Sequence, residues 1–237
     1  MVNTSEHPAK SLLLVGASRG IGLAMAKAFV GKGWHITGTV REDRRSTLHE
    51  LAETHPDQVA IERLDITIPA RIAALRETLA DRMYDMLFVN AGTANQDQDE
   101  TIAETSDEAF VRVMLTNALG VMRTVEGLQG LVRPTGLIGV MSSGQGSIAD
   151  NVKGGHEVYR GSKAALNQYM RSYAARHADD RRPLVLMAPG WIRTDLGGPE
   201  ARFSLEEAIP DLVDTLLAQQ GRPGLRFIDR HGDTVPW

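Results

Sequence analysis

A short apolar run that ends in a glycine-rich turn restricts the fold of this chain more than any other feature. Ser11–Val15 is followed at once by GASRGIG at residues 16–22, and a helical pattern then continues to residue 30. In a strand–turn–helix unit of this kind, the glycines permit a tight turn, a close approach to a pyrophosphate and close helix–strand packing. The free N–H groups at the start of the helix also favour an anion. We therefore interpret Gly16, Gly20 and Gly22 as a phosphate-binding turn, spaced GxxxGxG rather than GxGxxG.

Short apolar runs alternate with helical patterns along the rest of the chain. The strands are continuous apolar runs, as expected when helices cover both faces of a parallel sheet. We find no linker and no internal repeat. The sequence thus predicts one α/β domain over residues 1–237, with a doubly wound parallel sheet of about seven strands and helices on both faces, a Rossmann fold. The predicted strands are 11–15, 35–40, 59–61, 85–89, 136–141, 183–187 and 225–228, and the predicted helices are 21–30, 44–53, 107–131 and 155–177.

Composition excludes several classes of function. The chain has 237 residues, a net charge of −4 and no cysteine, and its seven histidines are scattered. We therefore expect no metal site, no disulfide and no binding to nucleic acid. No stretch approaches the roughly 20 apolar residues of a membrane span. The first ten residues, MVNTSEHPAK, contain no apolar signal segment, which favours a cytoplasmic protein without a membrane partner.

A tyrosine and a lysine one helical turn apart form the second informative motif. Tyr159 and Lys163 are at positions i and i+4, so they share one face of a helix. A free tyrosine has a pKa near 10, and a neighbouring ammonium lowers it. This spacing indicates a pair that transfers a proton, although it also fits an ordinary amphipathic helix.

The glycine turn allows other interpretations. GASRG also fits the GxSxG nucleophile elbow of hydrolases, with Ser18 as nucleophile and Asp195 and His231 as its partners in chain order. That hypothesis leaves the Tyr159–Lys163 pair unexplained. A P-loop is excluded because no Gly-Lys-Ser/Thr follows, and a helix-start turn without a ligand remains possible.

Six further segments in order resemble the short-chain dehydrogenase/reductase family in its single-domain form. The resemblance covers nearly the whole chain. Within the family, GSIADN, YRGSKAALN and the final Pro-Trp are similar to the small carbonyl-reductase branch that includes sniffer-like reductases and the C-signal protein. The six segments are Leu64-Asp65-Ile66, Asn90-Ala91-Gly92, Asn117, Ser142-Ser143, Tyr159 with Lys163, and Pro189-Gly190 through Thr194.

The resemblance implies a nicotinamide cofactor and an oxidoreductase that acts on a CH–OH group or its carbonyl. Arg19 in the turn and Arg41 at the end of the second strand favour NADP over NAD, because the 2′-phosphate attracts arginine; Glu42 and Asp43 argue the other way if the register differs. The implied cofactor residues are Gly16, Ser18, Arg19, Ile21, Gly22, Arg41, Asp65, Ile66, Asn90, Ala91, Gly92, Tyr159, Lys163, Pro189, Gly190, Ile192 and Thr194.

The resemblance also assigns catalytic roles. Tyr159 would be the proton donor or acceptor, and Lys163 would lower its pKa and hold the nicotinamide ribose. Ser143, preferred to Ser142, would orient the substrate oxygen. Asn117 would hold a water in a proton relay, or it could be a satisfied residue at a helix kink.

Two departures from the family pattern concern the turn and the substrate pocket. Val15 replaces the usual threonine before the first glycine, and the gap from Ser143 to Tyr159 is longer than usual, which we interpret as an inserted loop at 147–155. Residues 191–206 are expected to form a substrate lid. The expected substrate is a neutral ketone, aldehyde or quinone, and helices 107–131 and 155–177 are expected to form a homodimer or homotetramer. The alternative from another class is a cofactor-binding signalling or sensor protein with little turnover.

Overall fold

The computed structural model describes residues 9–42 and 44–237. The interpretation of residues 1–8 and the caution about Asp43 therefore lie outside the described residues. Seven parallel strands form one sheet in the order β3-β2-β1-β4-β5-β6-β7, which confirms the predicted fold class. The strands are β1 Ser11–Val15, β2 His35–Val40, β3 Val59–Arg63, β4 Tyr84–Val89, β5 Val132–Met141, β6 Pro183–Ala188 and β7 Gly224–Asp229.

Helices cover both faces of this sheet. Side chains alternate along β1, so that Leu13 and Val15 face one hydrophobic core and Leu12 and Leu14 face the other. The first core is completed by α3, α5 and α6, and the second by α1, α2 and α7. The helices are α1 Gly20–Gly31, α2 Thr47–Thr54, α3 Pro69–Thr78, α4 Asp107–Met114, α5 Val121–Leu128, α6 Glu157–Arg176 and α7 Leu205–Ala218.

Two helices of the structure were not predicted. In α3 only Ile72 and Leu75 are buried, so the sequence carries too little apolar periodicity to indicate a helix. The start of α7 does carry a signal, because Ser204 and Glu207 form a capping box, but Pro210 interrupts the helical pattern that follows.

The predicted helix over 107–131 is divided into parts. A π-helical turn, Leu115–Gly120, separates α4 from α5, and a 3₁₀ turn, Gln129–Leu131, follows α5. The strand β5 begins four residues earlier than predicted, because its first half exposes residues 133–135, contains Pro134 and Gly136 and lacks an apolar pattern. Within the described part of the chain, no helix is both long and apolar enough to cross a membrane.

Candidate active site

The glycine turn lies where β1 and β4 diverge, at the carboxyl edge of the sheet. This is the point where the strand order reverses, and open α/β sheets bind their ligands there. Gly16 has a φ of +86°, which favours glycine. A Cβ on Gly16 would lie 2.8 Å from the backbone nitrogen of Ala91, so the turn after β4 packs directly on the glycine turn. The structure thereby brings together Gly16 and the segment Asn90-Ala91-Gly92.

Polar side chains from β2 and β4 hold the glycine turn in place. The Asn90 Nδ2 donates to the Gly16 carbonyl at 2.8 Å, and the Gly16 N–H donates to Thr39 Oγ1 at 3.0 Å. A Cβ on Gly22 would lie only 2.1 Å from the Gly16 carbonyl oxygen, which explains the need for glycine where α1 meets β1. Since Val15 provides no hydroxyl, the hydroxyl of Thr39 supplies an acceptor for this turn from the neighbouring strand. Sequence reasoning missed Thr39 because the contact depends on strand pairing.

The segment after β6 closes over the other side of the glycine turn. A Cβ on Gly20 would lie 3.5 Å from Thr194 Cγ2, and Arg19 forms an ion pair with Asp195 at 3.1 Å. Gly190 has a φ of +89°, and Ile192 is buried. The segment after β6 therefore lies at the edge of the sheet where α1 begins, next to Ile21 and Gly22. It contains Pro189, Gly190, Ile192 and Thr194.

Charged side chains follow β2 and β3 at the same edge of the sheet. Arg41 lies at the end of β2 and pairs with Glu42 at 2.9 Å. Hydrogen bonding and charge from Arg41, with further charge from Arg44 and Arg19, lower the pKa of the exposed Glu42 carboxyl. The charges of Arg41, Arg44 and Arg19 thus all act on that carboxylate, and Arg19 is itself paired with Asp195.

Asp65 and Ile66 follow β3 at the same edge. The Asp65 Oδ1 accepts hydrogen bonds from the main chain and the hydroxyl of Thr67, at 2.9 and 2.6 Å. Ile66 is buried, and its carbonyl lies 2.9 Å from a Cβ built on Gly120. The segment 64–66 therefore rests between β2 and the π-helical turn.

The hydrolase alternative is not supported by the side-chain contacts. Asp195 pairs with Arg19, and His231 Nδ1 lies 3.4 Å from Asp211 Oδ2. Among the described residues, Ser18 has no hydrogen bond to a histidine. The three residues of the predicted triad are not assembled.

The two serines after β5 have different environments. The hydroxyl of Ser142 is buried and donates to Asn167 Oδ1 at 2.6 Å, so it is occupied structurally. The Ser143 hydroxyl accepts from the Gln145 N–H at 3.1 Å and lies close enough to the Tyr159 phenol to act on its pKa. Of the two, Ser143 is the serine that the structure places with Tyr159.

The electrostatics of Tyr159 differ from the sequence-based expectation. Burial raises the pKa of Tyr159 to about 12, and the hydrogen bond with Ser143 opposes this rise. The Lys163 Nζ lies 5.7 Å from the centre of the tyrosine ring, and its charge does not offset the effect of burial on the pKa of Tyr159. The predicted direction was wrong here because loss of hydration outweighs the influence of the lysine.

Lys163 is almost fully buried behind Tyr159. Its Nζ donates to the Met141 carbonyl at 2.9 Å, and burial lowers the pKa of Lys163 to about 8. A Cβ on Gly92 would lie 3.5 Å from this Nζ and 3.4 Å from Asn117 Oδ1. The ammonium, the amide and the turn after β4 therefore meet at one point.

Asn117 lies in the π-helical turn and is completely buried. Its Oδ1 accepts from the Thr93 N–H at 2.8 Å, and its Nδ2 donates to the Thr93 carbonyl and to Ser162 Oγ at 2.7 and 2.9 Å. The Ser162 hydroxyl in turn donates to the Tyr159 carbonyl at 2.7 Å. Asn117 thus connects the loop after β4 to the helix that carries Tyr159. Sequence reasoning did not single out Ser162, although it lies inside the motif.

The segment predicted as a lid is connected by its own hydrogen bonds. Ile192 and Phe203 form a β-bridge, and the Trp191 Nε1 donates to the Gly197 carbonyl at 2.7 Å. The final residues of the predicted lid belong to α7, which begins at Leu205. Trp191 is exposed on this segment.

These features fit a dinucleotide. The backbone cradle at Gly16 and Gly22 leaves no room for a Cβ, α1 begins within it, and Arg19 in the turn and Arg41 after β2 supply positive charge beside it. The buried Lys163 and the Tyr159 phenol lie at the opposite end. The residues present are those that could hold both ends of such a cofactor.

Comparison with known proteins agrees with this arrangement. The family model described as enoyl-(acyl carrier protein) reductase matches residues 16–211. A Burkholderia multivorans protein, provisionally described as a short-chain dehydrogenase/reductase and crystallised with bound NADP, is 59% identical, with a TM-score of 0.96 over 97% of this chain and 100% of that one. The chain belongs to the short-chain dehydrogenase/reductase family, and it is an oxidoreductase by that membership.

Two further relatives agree with the branch named from the sequence. A carbonyl reductase from Pseudomonas aeruginosa PAO1 is 33% identical, with a TM-score of 0.88 over 96% of this chain and 100% of that one. The C-signal protein of Myxococcus xanthus is 32% identical over 155 residues, which are 65% of this chain and 92% of that protein. The predicted resemblance is confirmed.

Proposed function

We propose that this protein is an NADP(H)-dependent reductase that converts a ketone, aldehyde or quinone carbonyl to the alcohol. The observation that carries the proposal is the meeting of Ser143, Tyr159 and the buried Lys163 at the end of the glycine-lined cradle. The NADP bound to the Burkholderia multivorans relative and the carbonyl reductase from Pseudomonas aeruginosa support the cofactor and the reaction class. NAD is the less favoured cofactor, since Arg19 and Arg41 would be matched to a 2′-phosphate.

In the proposed mechanism, the protein supplies the proton and the orientation. When bound, the reduced nicotinamide is the source of hydride. The Ser143 hydroxyl would donate a hydrogen bond to the substrate oxygen and orient it, and the Tyr159 phenol would deliver a proton to that oxygen as negative charge develops. A pKa of about 12 keeps the phenol protonated at neutral pH, which is the state a donor requires.

Lys163 and Asn117 would act behind the phenol. With a pKa of about 8, Lys163 is mostly protonated at pH 7, so it can bind hydroxyls of the cofactor ribose and favour the phenolate after proton transfer. Both donors of the Asn117 amide and one of the two lone pairs of its oxygen are engaged by Thr93 and Ser162, which supports a positioning role. The proposed relay through water at Asn117 would therefore use the main chain of the π-helical turn, where the α-helical bonding pattern is broken.

The decisive experiment compares wild type with Tyr159→Phe in NADPH binding and in NADPH oxidation with a panel of ketones, aldehydes and quinones. We expect kcat/KM to fall by about 10²- to 10⁴-fold, because a general acid is lost, while NADPH binding is retained. Tyr169→Phe is the matched control, since Tyr169 is exposed on the same helix and should leave turnover unchanged. Equal efficiency with NADH would contradict the cofactor assignment.

A cofactor-binding signalling protein is the second candidate, and the similarity to the C-signal protein is the observation that favours it. It predicts tight NADPH binding without turnover of any carbonyl. In either case we propose a cytoplasmic homodimer or homotetramer. The exposed apolar side chains Phe110 and Val111 on α4 support an interface there, which light scattering of the purified protein measures.

A further inference from the structure

The segment 147–155, which we call the β5–α6 loop, begins and ends at the candidate active site. Ser143 lies four residues before it, and Tyr159 lies four residues after it. Most of its hydrogen bonds are internal, such as Asn151 N–H to the Ile148 carbonyl at 3.2 Å. Any change in the position of this loop would be transmitted to one or both of these side chains.

One distant residue fixes the middle of the loop. The Ala149 N–H donates to the Trp237 carbonyl at 3.0 Å. Within the ranges 9–42 and 44–237, this is the only hydrogen bond from residues 147–154 to a residue outside 144–155. The two ends of the loop are bonded to neighbouring residues, through the Ser147 N–H to the Gly144 carbonyl and through Arg160 Nε to the Gly155 carbonyl, so the bond to Trp237 is what connects the middle of the loop to the rest of the domain.

Trp237 is itself held by the sheet and by α6. Its ring centroid lies 5.6 Å from that of Phe227 on β7, and the Arg171 guanidinium lies 4.5 Å from the indole centroid. The Val235 N–H donates to the Phe227 carbonyl at 2.9 Å, which joins this segment to β7. Because Trp237 packs on β7 and α6, its hydrogen bond restrains the position of Ala149 relative to both elements.

The far end of the loop has an unusual backbone. Gly154, Gly155 and His156 have φ values of +68°, +70° and +50° in succession, and His156 is the only residue other than glycine with positive φ among those described. A non-glycine residue in this region persists only where its surroundings hold it. The hydrogen bond from Ala149 to Trp237, the anchor of the loop, restrains the part of the loop that precedes this strained turn in the chain.

We propose that Trp237 is a positioning residue that fixes the β5–α6 loop as a wall of the substrate site and so restricts the substrates accepted. The side chains next to the anchor are apolar and open to solvent: Ile148 is 76% exposed and Val152 is 85% exposed. A fixed apolar wall at this place favours carbonyl compounds with an apolar group beside the carbonyl. This inference rests on the proposed reductase function.

The test has one structural and one kinetic measurement. Hydrogen exchange is measured by mass spectrometry on wild type, Trp237→Ala, Trp237→Phe and Ala149→Pro. In Trp237→Ala and Ala149→Pro, we expect amides in the middle of the loop to exchange roughly five- to tenfold faster, because the bond that holds this part of the loop is weakened or removed. Trp237→Phe keeps an aromatic ring against Phe227 and Arg171 and should exchange like wild type.

The kinetic measurement compares a small carbonyl with one that carries a bulky apolar group. In Trp237→Ala, KM for the bulky substrate should rise roughly tenfold, while kcat for the small substrate and NADPH affinity stay unchanged. The double variant with Ala149→Pro should add little to either single change, because both break the same connection. A general loss of folding would instead lower kcat, cofactor binding and exchange protection together.

The outcomes separate the anchor from the function. If the loop amides exchange at the wild-type rate in both Trp237→Ala and Ala149→Pro, then Trp237 does not hold the loop in place. Faster exchange with unchanged KM across the panel would overturn the role in substrate choice. If wild type reduces no carbonyl although Trp237→Ala still loosens the loop, the proposed function and the substrate role fail while the anchor stands.

Discussion

The two sides of the carboxyl edge of the sheet differ in how completely the protein satisfies its own polar groups. On the cofactor side, meaning the ends of β1, β2 and β4, Gly16 has both its N–H and its carbonyl paired, with Thr39 and Asn90. On the proposed substrate side, meaning segments 93–106, 144–156 and the part of 191–203 that does not contact the glycine turn, some buried polar atoms lack partners. They are Asn95 Oδ1, Gln145 Oε1 and His156 Nδ1, three of the four such atoms among the described residues.

This difference teaches which part of the site is preorganised. Buried polar groups are normally hydrogen-bonded, so an unpaired one calls for an explanation. The cofactor side is rigid before any ligand arrives, as suits a ligand that is always the same. The substrate side combines unpaired polar atoms with exposed Ile148, Val152 and Trp191, and in the proposed function a substrate would complete it.

The largest effect is expected from a substitution that disturbs the cofactor side of the sheet edge. Gly22→Ala places a Cβ 2.1 Å from the Gly16 carbonyl and 2.7 Å from Asn90 Nδ2, so both must move. We expect the free energy of unfolding to fall by about 1–3 kcal/mol and NADPH affinity to fall at least about tenfold. Urea denaturation and a binding titration measure both.

Gly31→Ala is the matched control for that variant. Gly31 is the last residue of the same helix, and a Cβ there meets nothing within 4 Å. This variant should leave NADPH affinity unchanged. Equal losses in the two variants would show that the effect comes from helix α1 in general and not from the cradle.

The pH dependence of the reaction tests the end of the cradle where the two sides meet. Lys163 has a pKa of about 8 and Tyr159 one of about 12, so the lysine loses its proton first as pH rises. The ratio kcat/KM for NADPH reports the free enzyme, and we expect it to fall above pH 8, approaching about tenfold per pH unit. In Lys163→Arg the guanidinium stays charged, so any remaining activity should lack this decline. A flat profile in wild type between pH 7 and 10 would argue against a charged Lys163 in the reaction.

A smaller effect is expected from two substitutions on β2, only one of which removes a contact to the glycine turn. Thr39→Val removes the acceptor of the Gly16 N–H, and we expect a loss of about 1 kcal/mol in stability together with weaker NADPH binding. Thr37 lies on the same strand as Thr39 but away from the glycine turn. Thr37→Val removes the hydroxyl that accepts from the Tyr84 hydroxyl, with 2.9 Å between the two oxygens. Thr37→Val should cost stability and leave NADPH affinity unchanged, as measured by thermal melts and titration. Parallel losses of affinity would mean that Thr39 acts through the strand as a whole.

The fold could be predicted almost completely because its signals are local. All seven strands were identified, and β2 was predicted at its observed bounds, since each strand is an apolar run between turn residues. The helix α3 was missed because two buried residues make no readable period. The predicted start of α2 at residue 44 was too early, because Ser46 caps the helix and pairs with His49.

The site was predictable only where one motif supplies the whole contact. Placement of Tyr159 with Ser143 agrees with the sequence, whereas the contacts of Thr39, Ser162 and Trp237 join distant parts of the chain and leave no local pattern. The direction of the Tyr159 pKa was also beyond sequence reasoning, because the degree of burial depends on packing. Motif spacing indicates which groups are neighbours but not how much water reaches them.

The π-helical turn Leu115–Gly120 has a consequence for how this chain tolerates changes in length. A π-helix bonds i to i+5, so this turn accommodates about one residue more than an α-helical turn. Each residue of an α-helix rotates the chain by about 100°, so removing one residue from α4 or α5 would turn the outer face of one helix by that angle relative to the other. Removing one residue from the π-helical turn would instead leave a regular α-helix, so that Phe110 on α4 keeps its direction while the residues of the turn, Asn117 among them, are displaced. A single deletion in this turn would therefore spare the surface that α4 presents and break the connection between Thr93 and the tyrosine helix.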